Sequence, residues 1–169
     1  MNIFFLHLNQ SICAIMHADK HVIKMILETT QLLCSAWHIV DPNHEIYTPC
    51  YKLTHANHPS SVWTRESQAN YVWLCELGLE LCKEYTYRYG RIHKCEEYLR
   101  DLSSNIPPIE NVECTPPRLA MPTEYKGDDV VESYRQYYFF EKSHLHCWKG
   151  KVASRDIPHW ILDFHKMFI

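Results

Sequence analysis

The segment from Ser11 to Trp37 constrains the fold most, because it contains no glycine or proline and consists mainly of apolar residues. Nothing in it interrupts helical hydrogen bonding, so it predicts one long helix. Five polar side chains are set into this apolar background at intervals of four, three, four and three residues: His17, His21, Lys24, Glu28 and Gln31. At about 100° per residue they share one face of the helix, within an arc of roughly 80°.

This polar stripe faces either bulk water or a polar cavity. An amphipathic helix with a solvated side would explain it. However, solvated stripes usually carry salt-bridging pairs of Glu with Lys or Arg, whereas this set can accept and donate protons. The composition of the stripe therefore favours a cavity, and we expect His58 and Asn57 from a later polar loop to line it as well.

Elsewhere in the chain, segments with helical spacing of apolar residues, separated by capping, glycine and proline residues, predict further helices. The stretch 67–89 keeps helical period, with Ser67 as an N-cap and Gly90 placed to end it. A second long helix is expected over 129–148 and a short charged one over 94–102, with a long proline-rich loop over 105–122 between them. The opening residues 1–8 are expected to form a short strand or an extended segment. Together these elements predict a single all-α domain over 1–169, with three to four main helices and long loops.

Composition is consistent with a folded globular chain. The 169 residues are 46% apolar and 13% aromatic, which excludes general disorder. No apolar run approaches the roughly 20 residues that span a membrane, and the opening segment lacks the basic start and cleavage site of a signal peptide. No membrane partner is therefore expected.

The eight cysteines are scattered, and no two have CxxC spacing. They are expected to be reduced thiols of an intracellular protein, in the cytoplasm or nucleus. Two histidine pairs, His17 with His21 and His144 with His146, are close enough in sequence to share a metal ion, but such pairs are common by chance in a chain with twelve histidines. We expect no metal and no other cofactor.

The formal net charge of −3 is unfavourable for tight binding to duplex DNA. The charge is nevertheless uneven, because residues 83–94 carry several cations, among them Arg88, interleaved with tyrosines. Such a patch suits a ligand that bears phosphate. Alternatively, the Lys and Arg stems cover the end of a core helix.

Several motifs occur in the order found in one known family. They are the helix Asp19–Glu28, the triplet Asn57-His58-Pro59 followed by Trp63, the segment from Glu84 to Gly90, and the segment from Met121 to Asp128 that contains Lys126. In this order they resemble the pyrimidine-dimer DNA glycosylases of the phage endonuclease type and their shorter bacterial relatives. Lys24, Glu28 and Gln31 stand where those relatives also carry Lys, Glu and Gln. The resemblance covers most of residues 1–150 and extends to proteins of phages and large DNA viruses, so a virus-infected host cell is one expected setting.

The resemblance implies chemistry at C1′ of a nucleotide. An amine attacks C1′ and expels the base, and a glutamate, here Glu28, assists the proton transfers. The family uses an N-terminal amine exposed by removal of the initiator methionine. Asn2 is bulky, so we expect Met1 to be retained. The nucleophile would then be the Met1 amine or Lys24. A third alternative is that an amine nucleophile is absent, which leaves a glycosylase that uses water or a different reaction.

The remaining site residues that we expect bind the substrate rather than react with it. His21 would hold a phosphate or the sugar, and Trp63, Tyr71 and His58 would wall the extrahelical base. The full set expected to bind substrate is His17, His21, Gln31, Asn57, His58, Trp63, Arg88 and Lys126.

Three functions stay open from the sequence. The first is a DNA glycosylase, with or without lyase activity at abasic sites, for damaged or modified pyrimidines. The second is an enzyme on the same scaffold that processes a free nucleotide or nucleoside. The third is a non-enzymatic module that binds nucleic acid.

Overall fold

The computed structural model describes all 169 residues and contains seven α-helices and no β-strand. The helices are α1 (Gln10–Met16), α2 (Asp19–Val40), α3 (Pro59–Thr64), α4 (Gln68–Tyr89), α5 (Glu96–Ser104), α6 (Val130–Lys142) and α7 (His159–Phe168). Short 3₁₀ turns lie at Thr123–Tyr125 and Ser143–Leu145. The all-α prediction is confirmed. None of the helices combines the length and the apolar composition needed to span a bilayer.

Helices α2 and α4 form the centre of the fold. They pack against each other more extensively than any other pair, and α1 and α5 also pack on α4. The buried apolar side chains form one continuous core to which α6 and α7 also contribute. Gly78 permits close packing at this centre, because a Cβ there would lie 3.0 Å from Thr29 of α2 and 2.9 Å from Leu99 of α5.

Helix α4 begins and ends within one residue of the prediction. Ser67 caps it, since its side chain accepts a hydrogen bond from the Asn70 backbone. Gly90 ends it in the left-handed conformation, with φ 65°. Ser67 and Gly90 directly flank the segment whose apolar residues recur with helical spacing, so both ends of α4 could be predicted from the sequence.

The prediction of one helix from 11 to 37 is wrong, because the chain leaves helical geometry at His17 and Ala18. Tertiary partners satisfy the backbone groups freed at this break. The Arg88 guanidinium donates to the carbonyls of Ile15 and His17, at 2.8 and 2.7 Å. The Tyr138 hydroxyl accepts from the Ala18 N–H at 2.9 Å. These bonds replace helical ones, so a sequence that can continue the helix does not do so.

Two predictions nearer the C-terminus also need correction. The helix expected over 129–148 ends at Lys142 and passes into a 3₁₀ turn. The tail, for which no helix was predicted, forms α7, and Trp160 of that helix is buried against the core. By contrast, 105–122 is free of helix, as expected. Residues 3–6 are buried in the core without forming a strand, and the Leu6 N–H bonds the Phe4 carbonyl in a tight turn.

Candidate active site

A pocket of about 300 Å³ lies where the N-terminal segment crosses helix α2. Its lining comes from the chain start, from α2, and from the end of α6 with the following turn: Met1, Asn2, Phe4, His21, Lys24, Met25, Glu28, Tyr137, Lys142, His144 and Leu145. The middle of the polar stripe thus faces this pocket, as its composition predicts. We call this cavity the Glu28 pocket.

Glu28 lies between two amines. Its Oε2 accepts the Asn2 backbone N–H at 3.0 Å and lies 4.0 Å from the α-amine of Met1. Its Oε1 lies 3.5 Å from Lys24 Nζ. The Glu28 side chain is only 11% exposed, whereas that of Lys24 is 67% exposed. One carboxylate is therefore held in place by backbone and has a cationic group on each side.

Asn2 anchors the start of the chain. Its side-chain amide donates to the Ala120 carbonyl at 2.9 Å, and its Oδ1 accepts from the Ile3 N–H and from the Ser60 hydroxyl. These bonds fix the backbone that carries the Met1 amine. Nothing in the composition or spacing of the sequence identifies Asn2 as a site residue, because its role depends on partners 58 and 118 positions away.

His21 lines the pocket as a neutral imidazole. Burial is the main cause that lowers its pKa from 6.5 to about 3, and the nearby positive groups lower it further. Its Nδ1 lies 2.6 Å from the Tyr138 hydroxyl, whose oxygen also accepts the Ala18 N–H. The phenol proton is then available to Nδ1, which favours the tautomer with the proton on Nε2. His21 is thus suited to donate an uncharged hydrogen bond to a ligand.

Lys142 and His144 also border the pocket. Lys142 lies 5.2 Å from the centre of the Tyr137 ring, in a cation–π arrangement, and His144 follows in the next turn. Lys142 and Lys24 give the mouth a positive rim that suits an anionic substrate. The sequence did not predict that Lys142 and His144 belong to the site, because they become neighbours of α2 only when the chain packs.

His58 lies close to the pocket without lining it. Its Nδ1 accepts the Ser60 N–H and so caps α3. Burial lowers the pKa of His58, the positive Met1 amine lowers it further, and Glu28 opposes this effect. Asn57 is exposed and is not part of the lining. The loop that contains both residues therefore reaches the site through Ser60 and Asn2.

The structure separates the other predicted binding residues from the Glu28 pocket. His17 is buried, with Nδ1 against the Cys13 carbonyl, and Trp63 is buried with its indole N–H donating to Thr115. Tyr71 is in the core as well, bonded to Trp37. Gln31 is half-buried one turn beyond Glu28, and Lys126 is exposed beside a different, smaller depression.

Arg88 is not available to bind phosphate, which corrects that prediction. Its side chain is fully buried and pairs with Glu84 and Asp19 at 2.9 and 3.1 Å. Arg155 pairs with Glu84 from the other side at 2.6 Å. The sequence allowed two explanations for the basic segment: a phosphate-binding patch, or cationic side chains that cover the end of a core helix. The second explanation describes Arg88.

Comparison of the chain with protein-family models, with curated proteins and with solved structures finds no match. The geometry of the Glu28 pocket is therefore the observation that bears on function. No group of three or more His, Cys, Asp or Glu side chains is arranged to hold a metal ion. The reactive groups that line the pocket are the Glu28 carboxylate, three amines and two imidazoles, the last two kinds from Met1, Lys24, Lys142, His21 and His144.

Proposed function

We propose that this protein is a DNA glycosylase with lyase activity that acts on damaged or modified pyrimidines through the Glu28 pocket. The observation that carries the proposal is the α-amine of Met1, 4.0 Å from the Glu28 carboxylate, at a pocket with a cationic rim. An amine beside a carboxylate is the pair that imine chemistry at a sugar carbon requires.

The expected reaction begins with attack of the neutral amine on C1′. A bond forms between the amine nitrogen and C1′, the glycosidic bond breaks, and the base leaves with a proton. Of the two protons that the amine loses, one goes to the departing base. Glu28 takes up the other and passes it to the sugar ring oxygen as the ring opens and the imine forms. Glu28, again a carboxylate, then accepts a proton from C2′. The electrons of that C–H bond form a double bond to C3′, and the 3′ phosphate leaves, which cuts the strand.

The Met1 amine is the better placed of the two candidate nucleophiles. The Met1 side chain is 4% exposed, and Asn2 fixes the adjoining backbone, whereas Lys24 extends into solvent.

Borohydride trapping tests this mechanism. The protein is incubated with a duplex that carries an abasic site or a pyrimidine dimer, and sodium borohydride reduces any imine to a stable amine. We expect a covalent adduct that peptide mapping assigns to Met1. One additional glycine placed before Met1 should abolish the adduct, because it displaces the amine, while Lys24→Ala should retain it.

The other outcomes discriminate between the remaining mechanisms. An adduct that is lost in Lys24→Ala and survives the added glycine would make Lys24 the nucleophile. Release of base without an adduct would indicate attack by water. If no damaged or modified pyrimidine is released from DNA, the glycosylase proposal fails. Mass measurement of the intact protein is the control that establishes whether Met1 is its first residue.

A free nucleotide or nucleoside is the second candidate substrate. Two observations favour it: the net charge is −3, and Arg88, the expected phosphate ligand, is buried in ion pairs. A cavity of about 300 Å³ is at the small end of the range for single small ligands. Incubation with a panel of pyrimidine nucleotides, followed by chromatography of the released bases, tests this candidate directly.

A further inference from the structure

Two cysteines lie in contact in a part of the protein away from the Glu28 pocket. Cys34 is on helix α2 and buried, whereas Cys50 is exposed in the loop that follows this helix. Their sulfur atoms are 3.6 Å apart. All eight thiols of the chain are free, and this is the pair in which two sulfur atoms lie within contact distance.

The loop is fastened to α2 on both sides of Cys50. Before Cys50, the Asp41 carboxylate accepts the backbone N–H groups of residues 45 to 47. After Cys50, His38 bonds the Tyr51 carbonyl at 2.8 Å and Ser35 bonds Thr54 at 3.0 Å. Cys50 is therefore held opposite Cys34 by bonds that do not involve either sulfur.

We propose that Cys34 and Cys50 form an oxidative modification site that closes to an intramolecular disulfide when the protein meets a small-molecule disulfide such as oxidised glutathione. Closure from 3.6 Å to a bond of about 2 Å requires a movement of roughly 1.5 Å. The Cys50 side chain can supply this movement because it is exposed, and the hydrogen bonds that hold the loop stay in place.

The two thiols take different parts in the reaction. Cys50 is accessible, so its thiolate attacks one sulfur of oxidised glutathione, forms a mixed disulfide and releases one glutathione. Cys34 then attacks the Cys50 sulfur and releases the second glutathione, which leaves the Cys34–Cys50 disulfide. Two protein thiols are oxidised, one glutathione disulfide is reduced, and both protons end on the glutathione thiols. Burial raises the pKa of Cys34, which is consistent with its reacting second.

The closed form would join α2, which carries Glu28, to the segment that leads to His58. Cys114 provides an internal control, because it is also exposed but has no thiol neighbour. Under the same conditions Cys114 should stop at the mixed disulfide.

The test is oxidation of the intact protein with oxidised glutathione, alkylation of the remaining thiols, and peptide mapping without reduction. We expect a peptide pair linked through Cys34 and Cys50 and little glutathione on Cys50. In Cys34→Ser, glutathione on Cys50 should rise at least about tenfold, because the second step is lost. In Cys50→Ser, which changes an exposed side chain, Cys34 should stay reduced.

Two results would overturn the proposal. One is a Cys50–glutathione adduct in the unsubstituted protein that persists as it does on Cys114. The other is linkage of Cys50 to a cysteine other than Cys34. Neither depends on the Cys34→Ser protein folding, since both are read from the unsubstituted chain.

Discussion

Among single residues, Glu28 is the one on which the proposed chemistry depends most. Its Oε2 is fixed by the Asn2 N–H at 3.0 Å, so it remains beside the Met1 amine without needing to reorient. A carboxylate held in this way can accept a proton as soon as the amine reacts. The same bond also makes the site tolerant of a nearly isosteric substitution.

The first residue-scale prediction concerns Glu28→Gln. Glutamine keeps an oxygen that can accept the Asn2 N–H but cannot take up a proton. We expect base release to slow by about 100- to 10,000-fold, while the melting temperature and ligand binding change little. Single-turnover release of base and thermal melting measure the two effects. Unchanged release in Glu28→Gln would remove the carboxylate from the mechanism.

The second residue-scale prediction concerns the buried histidines. Burial lowers the pKa of His17 from 6.5 to about 4 and that of His21 to about 3. Between the unfolded pKa of 6.5 and the lower pKa of the folded state, each histidine is protonated in the unfolded chain but not in the folded one. The free energy of unfolding is therefore highest above pH 6.5 and declines as the pH falls below it. From pH 6.5 to 5, each histidine should cost up to about 2 kcal/mol.

Urea unfolding at pH 7.5 and pH 5 measures this decline, in a range above that in which carboxylates titrate. His21→Gln should show a smaller difference in unfolding free energy between the two pH values than the unsubstituted protein. An equal difference in both proteins would mean that His21 is not kept neutral by the fold.

At the scale of elements, the break between α1 and α2 determines which side chains reach the Glu28 pocket. Because the chain leaves helical geometry at His17 and Ala18, α1 takes a separate course and His17 leaves the polar stripe. Arg88 of α4 bonds the carbonyls on the α1 side, and Asp19 of α2 holds Arg88 and the Gly150 N–H. One buried cation thereby connects three parts of the fold.

We therefore predict that Arg88→Leu lowers the free energy of unfolding by about 3–5 kcal/mol, because Asp19 and Glu84 stay buried after losing a partner. The matched control is Arg100→Leu, which removes an i,i+4 pair with Glu96 on the surface and should cost less than about 1 kcal/mol. Both are measured by urea unfolding. A stable Arg88→Leu protein with weakened nucleotide binding would contradict the structural role of Arg88.

At the scale of the whole molecule, charge limits how the protein can hold DNA. The net charge is −3, and the accessible cations that border the site are few, chiefly Lys24 and Lys142. Such a surface can make only a few contacts between its cationic side chains and DNA phosphates. The affinity for duplex should then depend on salt less steeply than for a strongly basic protein.

We expect the affinity for a duplex with an abasic-site analogue to fall about 10- to 40-fold between 50 and 200 mM salt, which corresponds to two or three phosphate contacts. A fluorescent-duplex titration at the two salt concentrations measures this. Absence of duplex binding at low salt, together with binding of a free pyrimidine nucleotide, would transfer the proposal to the second substrate class.

The sequence alone determined the features that depend on local contacts. Helix α4 could be predicted to within one residue because Ser67 and Gly90 act on their own neighbouring backbone. The polar stripe on α2 could be predicted to share one face because helical geometry relates residues four positions apart. That periodicity puts His21, Lys24 and Glu28 on the same face of α2, and these three residues do line one pocket.

The tertiary structure alone decided what depends on partners distant in the chain. The helix break at His17 and Ala18 requires Arg88 and Tyr138, which lie about 70 and 120 positions away. Met1 reaches Glu28 only because Asn2 is held by Ala120 and Ser60. Arg88 follows the same rule: a cation in a basic segment indicates a phosphate site, but the fold directs its guanidinium to two buried carboxylates and two backbone carbonyls instead. Local propensity cannot encode these outcomes, because the energies that select them exist only once the elements have packed together.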